Sequence, residues 1–329
     1  MTQNTNTKNI FSHEKATFVK IDEASETQKI DNFLLKVLKN VPKSHVYKIL
    51  RSGEVRVNKK RVDTTYRLKL GDLVRIPPVA IEGQKTQTIE TPKLQQTAWL
   101  DASTIYEDDA LLVINKPSGY AVHGGSGLHF GVIELLRHLR PHAKFLELVH
   151  RIDRDTSGIL IIAKKRSALV NMHDMMRHNR IEKKYTMMVE GQWTEAKKTV
   201  ELMLKKTLTK VGERRVNVIE DDEEQDQQLS KSIFYLKKVL GPYSLLEAKL
   251  ITGRTHQLRV QLSHLGFPIL GDDKYGDFKL NKLLEKKGLK RMFLHAFSMK
   301  MKHPITEEPL ELKAPLPREL DAFVSQCHR

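Results

Sequence analysis

The sequence predicts an α+β protein of two domains: a small basic α/β domain over residues 23–80, then a larger, strand-dominated mixed domain over 98–329. Three observations carry that expectation. The chain is 329 residues long, and at roughly 150 residues per domain such a length favours two. Its charge is uneven: 56 Lys and Arg against 40 Asp and Glu leave +16, while residues 29–78 alone hold 13 basic and 4 acidic residues. Finally, the apolar period is helical as far as Leu50 and alternating just after it, whereas short apolar runs dominate from Leu100 onward.

Residues 1–22 show no periodicity and are rich in Asn, Thr and Lys, which predicts a mobile tail. Ile30, Phe33, Leu34, Val37 and Leu38 then share one face of a helix that Pro42 terminates. Ser44 is placed to cap a second helix with Val46, Ile49 and Leu50 inward, and Ser52-Gly53 supplies its left-handed stop. Val55 and Val57 alternate with polar neighbours, Asn58-Lys59 and Gly71-Asp72 turn the chain, and Leu73, Val74 and Ile76 close a small curled sheet. Residues 81–97, poor in large apolar groups and rich in Gln and Thr, predict a linker. Beyond it, the runs at 111–115, 159–163, 185–189, 232–236 and 243–251 predict strands, and 132–140, 167–178 (capped by Ser167) and 256–265 predict helices. The acidic stretch 220–226 is expected at a solvated hairpin tip.

Composition also narrows the function classes. No window approaches the roughly 18 uninterrupted apolar residues of a membrane span, and MTQNTNTKNI lacks the charged-then-apolar plan of a signal peptide, so a cytoplasmic protein is expected. Cys327 is the only cysteine, which excludes an intramolecular disulfide and a cysteine-rich metal site. No apolar stripe is left over for self-association, which favours a monomer. An excess of +16 suits a polyanionic partner.

Chemistry-bearing residues concentrate in three segments. The first, His150-Arg151-Ile152-Asp153-Arg154-Asp155-Thr156-Ser157-Gly158, runs into an apolar strand, so a rigid element can fix the loop while its side chains stay accessible. A metal site on Asp153 and Asp155 lacks a third oxygen ligand beyond Thr156 and Ser157. A kinase loop lacks its glycine-rich partner, and an aspartic protease lacks its second motif. What remains is a carboxylate between arginines, suited to attack on, or stabilisation of, an electron-poor sugar carbon. One of the two aspartates is expected to cap a turn or pair with an arginine instead. The second segment is Lys183-Lys184-Tyr185, whose tyrosine enters a strand; such a ring is more often core, but it can stack on a base and its hydroxyl can move a proton. In the third, Thr252-Gly253-Arg254-Thr255-His256-Gln257-Leu258-Arg259, a helix starting near Thr255 carries Arg259 on the same face, able to point back over the loop of Asp153.

Two resemblances follow from these residues. PKSHVYKILRSGEVRVNKKRV with YRLKLGDLVRIPP resembles the small RNA-binding module named after a small-subunit ribosomal protein. That likeness implies that Lys43, Lys48, Arg51, Arg56, Lys59 and Lys60 press on structured RNA, contacts that position more than they specify. INKPSGYAVHGGSG (114–127), FLELVHRIDRDTSG (145–158) and TGRTHQLR (252–259), in that order, resemble the pseudouridine synthases that modify large-subunit ribosomal RNA, over a span from residue 29 to about 315. This second likeness implies that family's α+β fold on a mixed, mainly antiparallel sheet, with Asp153 as the catalytic residue and Arg259 paired to it. It also implies that Tyr185 stacks on the uracil and is a proposed base, and that Arg151 enters the RNA stack as the target nucleotide flips out. The implied partner is 23S ribosomal RNA or a large-subunit assembly intermediate, with targets near the peptidyl-transferase centre. No cofactor and no metal are implied, because the reaction cleaves and re-forms a glycosidic bond without redox change. Ile152 stands where the family has Leu, and Gln261 where His is common. On the residues alone, two other classes stay open: a noncatalytic RNA-binding assembly factor, and a metal-dependent nuclease or glycosyl-transfer enzyme using Asp153 and Asp155.

Overall fold

Taken alone, the stretch before residue 22 is polar and aperiodic, yet Thr17–Lys20 forms a strand, β1. A partner supplies what composition lacks, since Thr17 to Lys20 pair antiparallel with Ile76 to Leu73. The computed structural model describes residues 15–38, 41–79, 94–124, 130–208, 214–219 and 226–327, so residues 1–14 of the expected tail lie outside it. The chain divides into two units, Met1–Thr91 and Pro92–Arg329.

In the first unit, α1 (Ile30–Val37) and α2 (Lys43–Arg51) bury the faces that their apolar spacing marks, enclosing Ile30, Phe33, Leu34, Val46, Ile49 and Leu50. Ser44 does not cap α2. Pro42 takes that position in an extended conformation, and its carbonyl accepts from the His45 and Val46 amides, leaving Ser44 inside the first turn. β2 (Arg56–Val57) and β3 (Lys60–Arg61) form a hairpin over Asn58-Lys59, both at positive φ (50° and 67°), as a two-residue turn matched to the twist of its strands requires. β4 (Leu73–Ile76) completes a four-stranded sheet of order β1-β4-β2-β3. Buried Asp72 secures the hairpin, accepting from Asn58 Nδ2 (2.8 Å), the Tyr66 hydroxyl (2.9 Å) and the Lys69 amide (2.9 Å).

The second unit opens with α3 (Leu94–Ala102), which begins inside the stretch expected to be linker. Thr97 and Leu100 are buried, so docking of a few side chains orders a Gln- and Thr-rich segment. There follow β5 (Thr104–Glu107), β6 (Leu111–Lys116), α4 (Val132–Leu139), β7 (Glu147–Leu148), β8 (Ser157–Ala163), α5 (Arg166–Arg177), β9 (Glu182–Glu190), β10 (Lys197–Leu208), β11 (Arg214–Ile219), β12 (Gln228–Leu240), β13 (Tyr243–Leu250), α6 (Gln257–His264), α7 (Phe278–Lys286), β14 (Leu294–Lys302), β15 (Pro309–Lys313) and α8 (Arg318–Cys327). Every predicted apolar run is a strand. Ser167 does not cap α5, because the helix starts one residue earlier with Lys165 in the cap position. Residues 220–225 of the acidic stretch lie outside the described residues, but its flanking strands correct the hairpin: β11 and β12 both pair with β10, which lies between them.

These strands make one 11-stranded sheet of order β11-β10-β12-β13-β9-β14-β8-β6-β5, with β15 joined to β14 and β7 to β8. All pairs are antiparallel except β8 with β14, so the sheet is mixed and mainly antiparallel. That parallel seam is short: Ser157 and Gly158 pair with His295 and Ala296, after which β8 continues beside β7 and β14 beside β15. Gly158 makes the seam possible, since it takes a φ of 114° and a Cβ there would lie 2.2 Å from the Ala296 carbonyl oxygen. Beneath the seam, the buried Ser157 hydroxyl meets His295 Nδ1 at 2.9 Å and the Arg291 guanidinium at 2.8 Å. Among the described residues no helix is long and apolar enough to cross a membrane.

Candidate active site

Asp153 lies four residues before β8, in a turn closed by the Thr156 amide donating to the Asp153 carbonyl at 3.2 Å. The segment after β6 holds that turn from outside. The Lys116 ammonium, fully buried, donates to the carbonyls of Pro117 (2.8 Å), Tyr120 (2.8 Å) and Arg154 (2.9 Å). Burial pulls its pKa down to about 7, against the nearby charge of Asp155. The Gly119 amide also reaches the Arg154 carbonyl, and the Ser118 hydroxyl donates to that of Asp155 at 2.8 Å. The motif beginning at Ile114 is therefore a clamp on the Asp153 turn; its last residues, 125–127, lie outside the described residues.

The third segment folds around Gln257. Its Oε1 accepts from the Thr252 hydroxyl (2.8 Å) and the Arg254 amide (3.0 Å), while its Nε2 donates to the Lys231 carbonyl (3.0 Å) and the Ser232 hydroxyl (2.9 Å). This places α6 against the sheet, with Leu258 and Leu262 among Tyr185, Met187, Phe234, Leu246 and Ala248. Arg259, only 4% exposed, then reaches the Asp153 turn, where Nη1 donates to Asp153 Oδ2 at 3.2 Å. The carboxylate itself is 21% exposed, so it is anchored and still reachable.

Arg259 has a stronger partner that the sequence reading missed. Asp272, fully buried, accepts from Nε and Nη2, each at 2.7 Å, in a two-pronged pair. Burial alone would raise the Asp272 pKa, but the Arg259 hydrogen bonds and charge hold it below its ordinary 3.8. The Tyr275 ring lies 5.2 Å from the same guanidinium. A signal existed in GDDKYG, where two acids and a tyrosine follow a glycine outside any predicted element, but nothing local says which cation they meet.

Tyr185 sits on β9, buried, with alanines opposite it on both neighbouring strands, Ala248 on β13 and Ala296 on β14. Burial and then the Asp153 charge push its hydroxyl well above the usual tyrosine range, so at neutral pH it keeps its proton. Asp155 pairs with Arg154 at 3.1 Å, the neighbouring-arginine pairing expected of one of the two aspartates. His150 orders its loop, accepting from the Ile161 amide at 3.1 Å, and burial drags its pKa to about 4. Gln261 is buried and bonds to the Ser230 hydroxyl at 3.1 Å, so that departure from the family pattern lies in the core. Arg151 is exposed beside Asp153. In the first unit Lys43, Lys48, Arg51, Arg56, Lys59 and Lys60 are all exposed.

A small basic module followed by a mixed sheet that carries an accessible carboxylate held by a buried arginine fits an RNA-modifying enzyme. The chain belongs to the pseudouridine synthase family: a family model described as RNA pseudouridylate synthase matches residues 110–264, an S4 domain model matches 28–74, and close relatives cover more than nine-tenths of the chain. Ribosomal large subunit pseudouridine synthase C of Haemophilus influenzae is 48% identical over 306 residues, 93% of each chain. The protein of the same name from Vibrio vulnificus is 49% identical over 94% of this chain and 96% of its own. Among solved structures, human RNA Pseudouridylate Synthase Domain Containing 4 superposes with a TM-score of 0.57 at 25% identity, covering 71% of this chain and 95% of that one. Human RNA Pseudouridylate Synthase Domain Containing 1 does so with a TM-score of 0.55 at 26% identity, covering 67% and 86%.

Proposed function

We propose that this enzyme isomerises specific uridines of 23S ribosomal RNA, near the peptidyl-transferase centre, to pseudouridine, with Asp153 as the catalytic carboxylate and without a cofactor. The observation that supports it best is the asymmetric hold on Asp153. Oδ2 is occupied by Arg259, while Oδ1 has no hydrogen bond shorter than 3.5 Å among the described residues and is turned toward His256 at 3.9 Å. A carboxylate with one oxygen anchored and one free can attack the anomeric carbon or take the neighbouring 2′ proton, the two routes by which the bond to the uracil nitrogen breaks. The uracil then turns and carbon 5 joins the sugar, as the bond to Asp153 breaks on the first route or the 2′ proton returns on the second, and the freed carboxylate takes up the proton that leaves carbon 5. Tyr185, protonated and walled in by alanines, offers its ring as the surface on which the detached base rests. Arg151 fills the gap left by the flipped nucleotide, offsetting part of the few kcal/mol of unstacking. The basic face of the first unit holds the surrounding RNA or a large-subunit assembly intermediate. The relatives named for the large ribosomal subunit support this choice of RNA.

The test is chemical mapping of pseudouridine in unmodified large-subunit RNA after incubation with the protein and EDTA. Conversion of discrete uridines is expected. Conversion in transfer RNA alone would redirect the target, and loss of conversion on adding EDTA would bring a metal into the reaction.

The hairpin of the first unit yields a second expected result. Lys59 holds a φ of 67°, where a Cβ is costly, so Lys59→Gly should raise the stability of the module by about 1 kcal/mol in a denaturant titration. The same change removes a cation from the hairpin tip, and RNA affinity should fall with a salt dependence shallower by about one unit of slope. A gel-shift series in increasing salt reads both.

A further inference from the structure

His256 is a residue to which neither the motif analysis nor the mechanism above gives a role, and its setting is unusual. It occupies the N-cap position of α6 at a φ of 52°, a left-handed conformation that a side chain with a Cβ adopts only at a cost. This conformation places the imidazole between two groups. Nε2 faces Asp153 Oδ1 at 3.9 Å, and Nδ1 lies 2.9 Å from the Tyr275 hydroxyl, with the two rings edge to face.

Tyr275 is itself held. Its hydroxyl oxygen accepts the Val216 amide of β11 at 3.1 Å, and its own single proton is free to point at His256 Nδ1, 2.9 Å away. An imidazole that accepts at Nδ1 carries its proton on Nε2. We propose that His256 is a positioning residue, locked by Tyr275 in the tautomer that presents Nε2–H to the free oxygen of Asp153. The proposal rests on Asp153 being the catalytic carboxylate.

The surroundings agree with a neutral ring. Burial is the largest influence and lowers the His256 pKa; Asp153 and Asp272 favour the cation, while Arg259 and Lys274 oppose it, and the balance stays below the ordinary 6.5. A neutral N–H orients Oδ1 without adding a second full positive charge beside Arg259. An imidazolium would grip the carboxylate and hold it back from the sugar. Activity should therefore fall on the acid side as His256 takes up a proton.

Nitrogen NMR of the full chain labelled in histidine, assigned with His256→Gln, reads the tautomer directly. At neutral pH the wild type should show Nε2 protonated and Nδ1 bare, and Tyr275→Phe should replace that state with a mixture. In turnover on large-subunit RNA, His256→Ala should lower kcat severalfold with KM unchanged, because the N–H dipole held 3.9 Å from Asp153 Oδ1 is lost, and His256→Gln should recover part of the loss. Tyr275→Phe should move the acid limb of the kcat profile to higher pH, because the lost O–H bond had favoured the neutral ring. A merely structural role would lower activity equally at every pH. A wild-type His256 protonated on Nδ1 or on both nitrogens at neutral pH, or an unchanged kcat in His256→Ala, would overturn the proposal. The wild-type spectrum decides the tautomer even where a variant fails to fold. Full activity of Asp153→Asn would instead overturn the assignment of Asp153, and the positioning role with it, whatever tautomer the spectrum shows.

Discussion

Asp153→Asn is expected to abolish pseudouridine formation, by roughly ten-thousand-fold or more, while leaving the fold and RNA binding in place. The amide is the same size as the carboxylate and can neither attack the sugar nor accept a proton from it. Structural damage should be slight because Asp153 makes one 3.2 Å bond to Arg259, whose other two nitrogens are already bound to Asp272. Three measurements separate the outcomes: pseudouridine mapping for chemistry, a gel shift for binding, and thermal unfolding for the fold. A variant that converts uridines at the wild-type rate would remove Asp153 from the reaction.

The Asp272→Asn change should do the reverse, striking stability first. Arg259 is 4% exposed and Asp272 fully buried, so neutralising the acid sets an amide that also donates against the buried cation, which keeps only its longer contacts to Asp153 (3.2 Å) and Asp273 (3.5 Å). Breaking such a pair from one side costs roughly 3 to 5 kcal/mol. Catalysis should fall too, since Arg259 loses the partner that aims it at Asp153. The same pair gives the wild type a pH dependence with a definite sign. A carboxylate whose pKa is depressed by folding contributes stability that is complete above its unfolded value, near 3.8, and is lost as pH falls through the lower folded value. Urea titrations at neutral and acid pH should therefore show a large gap between wild type and Asp272→Asn at neutral pH that narrows in acid. A constant gap would mean that the cost comes from packing and not from charge.

How far the sequence could be read depends on how far each feature reaches along the chain. The faces of α1 and α2 and the five apolar runs are local patterns, and each became the element its period predicts. β1 is four residues long and is visible only through its pairing with β4, more than fifty positions away. Neither Ser44 nor Ser167 caps its helix, because the path of the chain into each helix, and not the best side-chain acceptor, sets where the helix begins. At the site, the meeting of Asp153 with Arg259, 106 residues apart, was accessible through the family resemblance. Lys116 was not, because a lysine at the end of an apolar strand has the look of a solvated terminus; only the carbonyls of Pro117, Tyr120 and Arg154 gathered around it show otherwise. Asp272 and Tyr275 escaped for a similar reason, since their meaning lies in the cation and the imidazole that α6 brings to them.

The two-pair seam between β8 and β14 gives the large sheet the mechanics of a pair of leaves on a pin. Asp153 is carried by the leaf of β8 and β6, whereas Tyr185 and Arg259 belong to the leaf of β9 and α6. No long ladder of backbone bonds fixes the angle between them, so the spacing of carboxylate, ring and guanidinium rests on a pin made of Ser157, Gly158, His295 and Ala296 with Arg291 beneath it. Groups at the seam thus set the spacing of the proposed catalytic side chains, and a methyl group at position 158, 2.2 Å from the Ala296 carbonyl oxygen, would act on that spacing without touching Asp153, Tyr185 or Arg259.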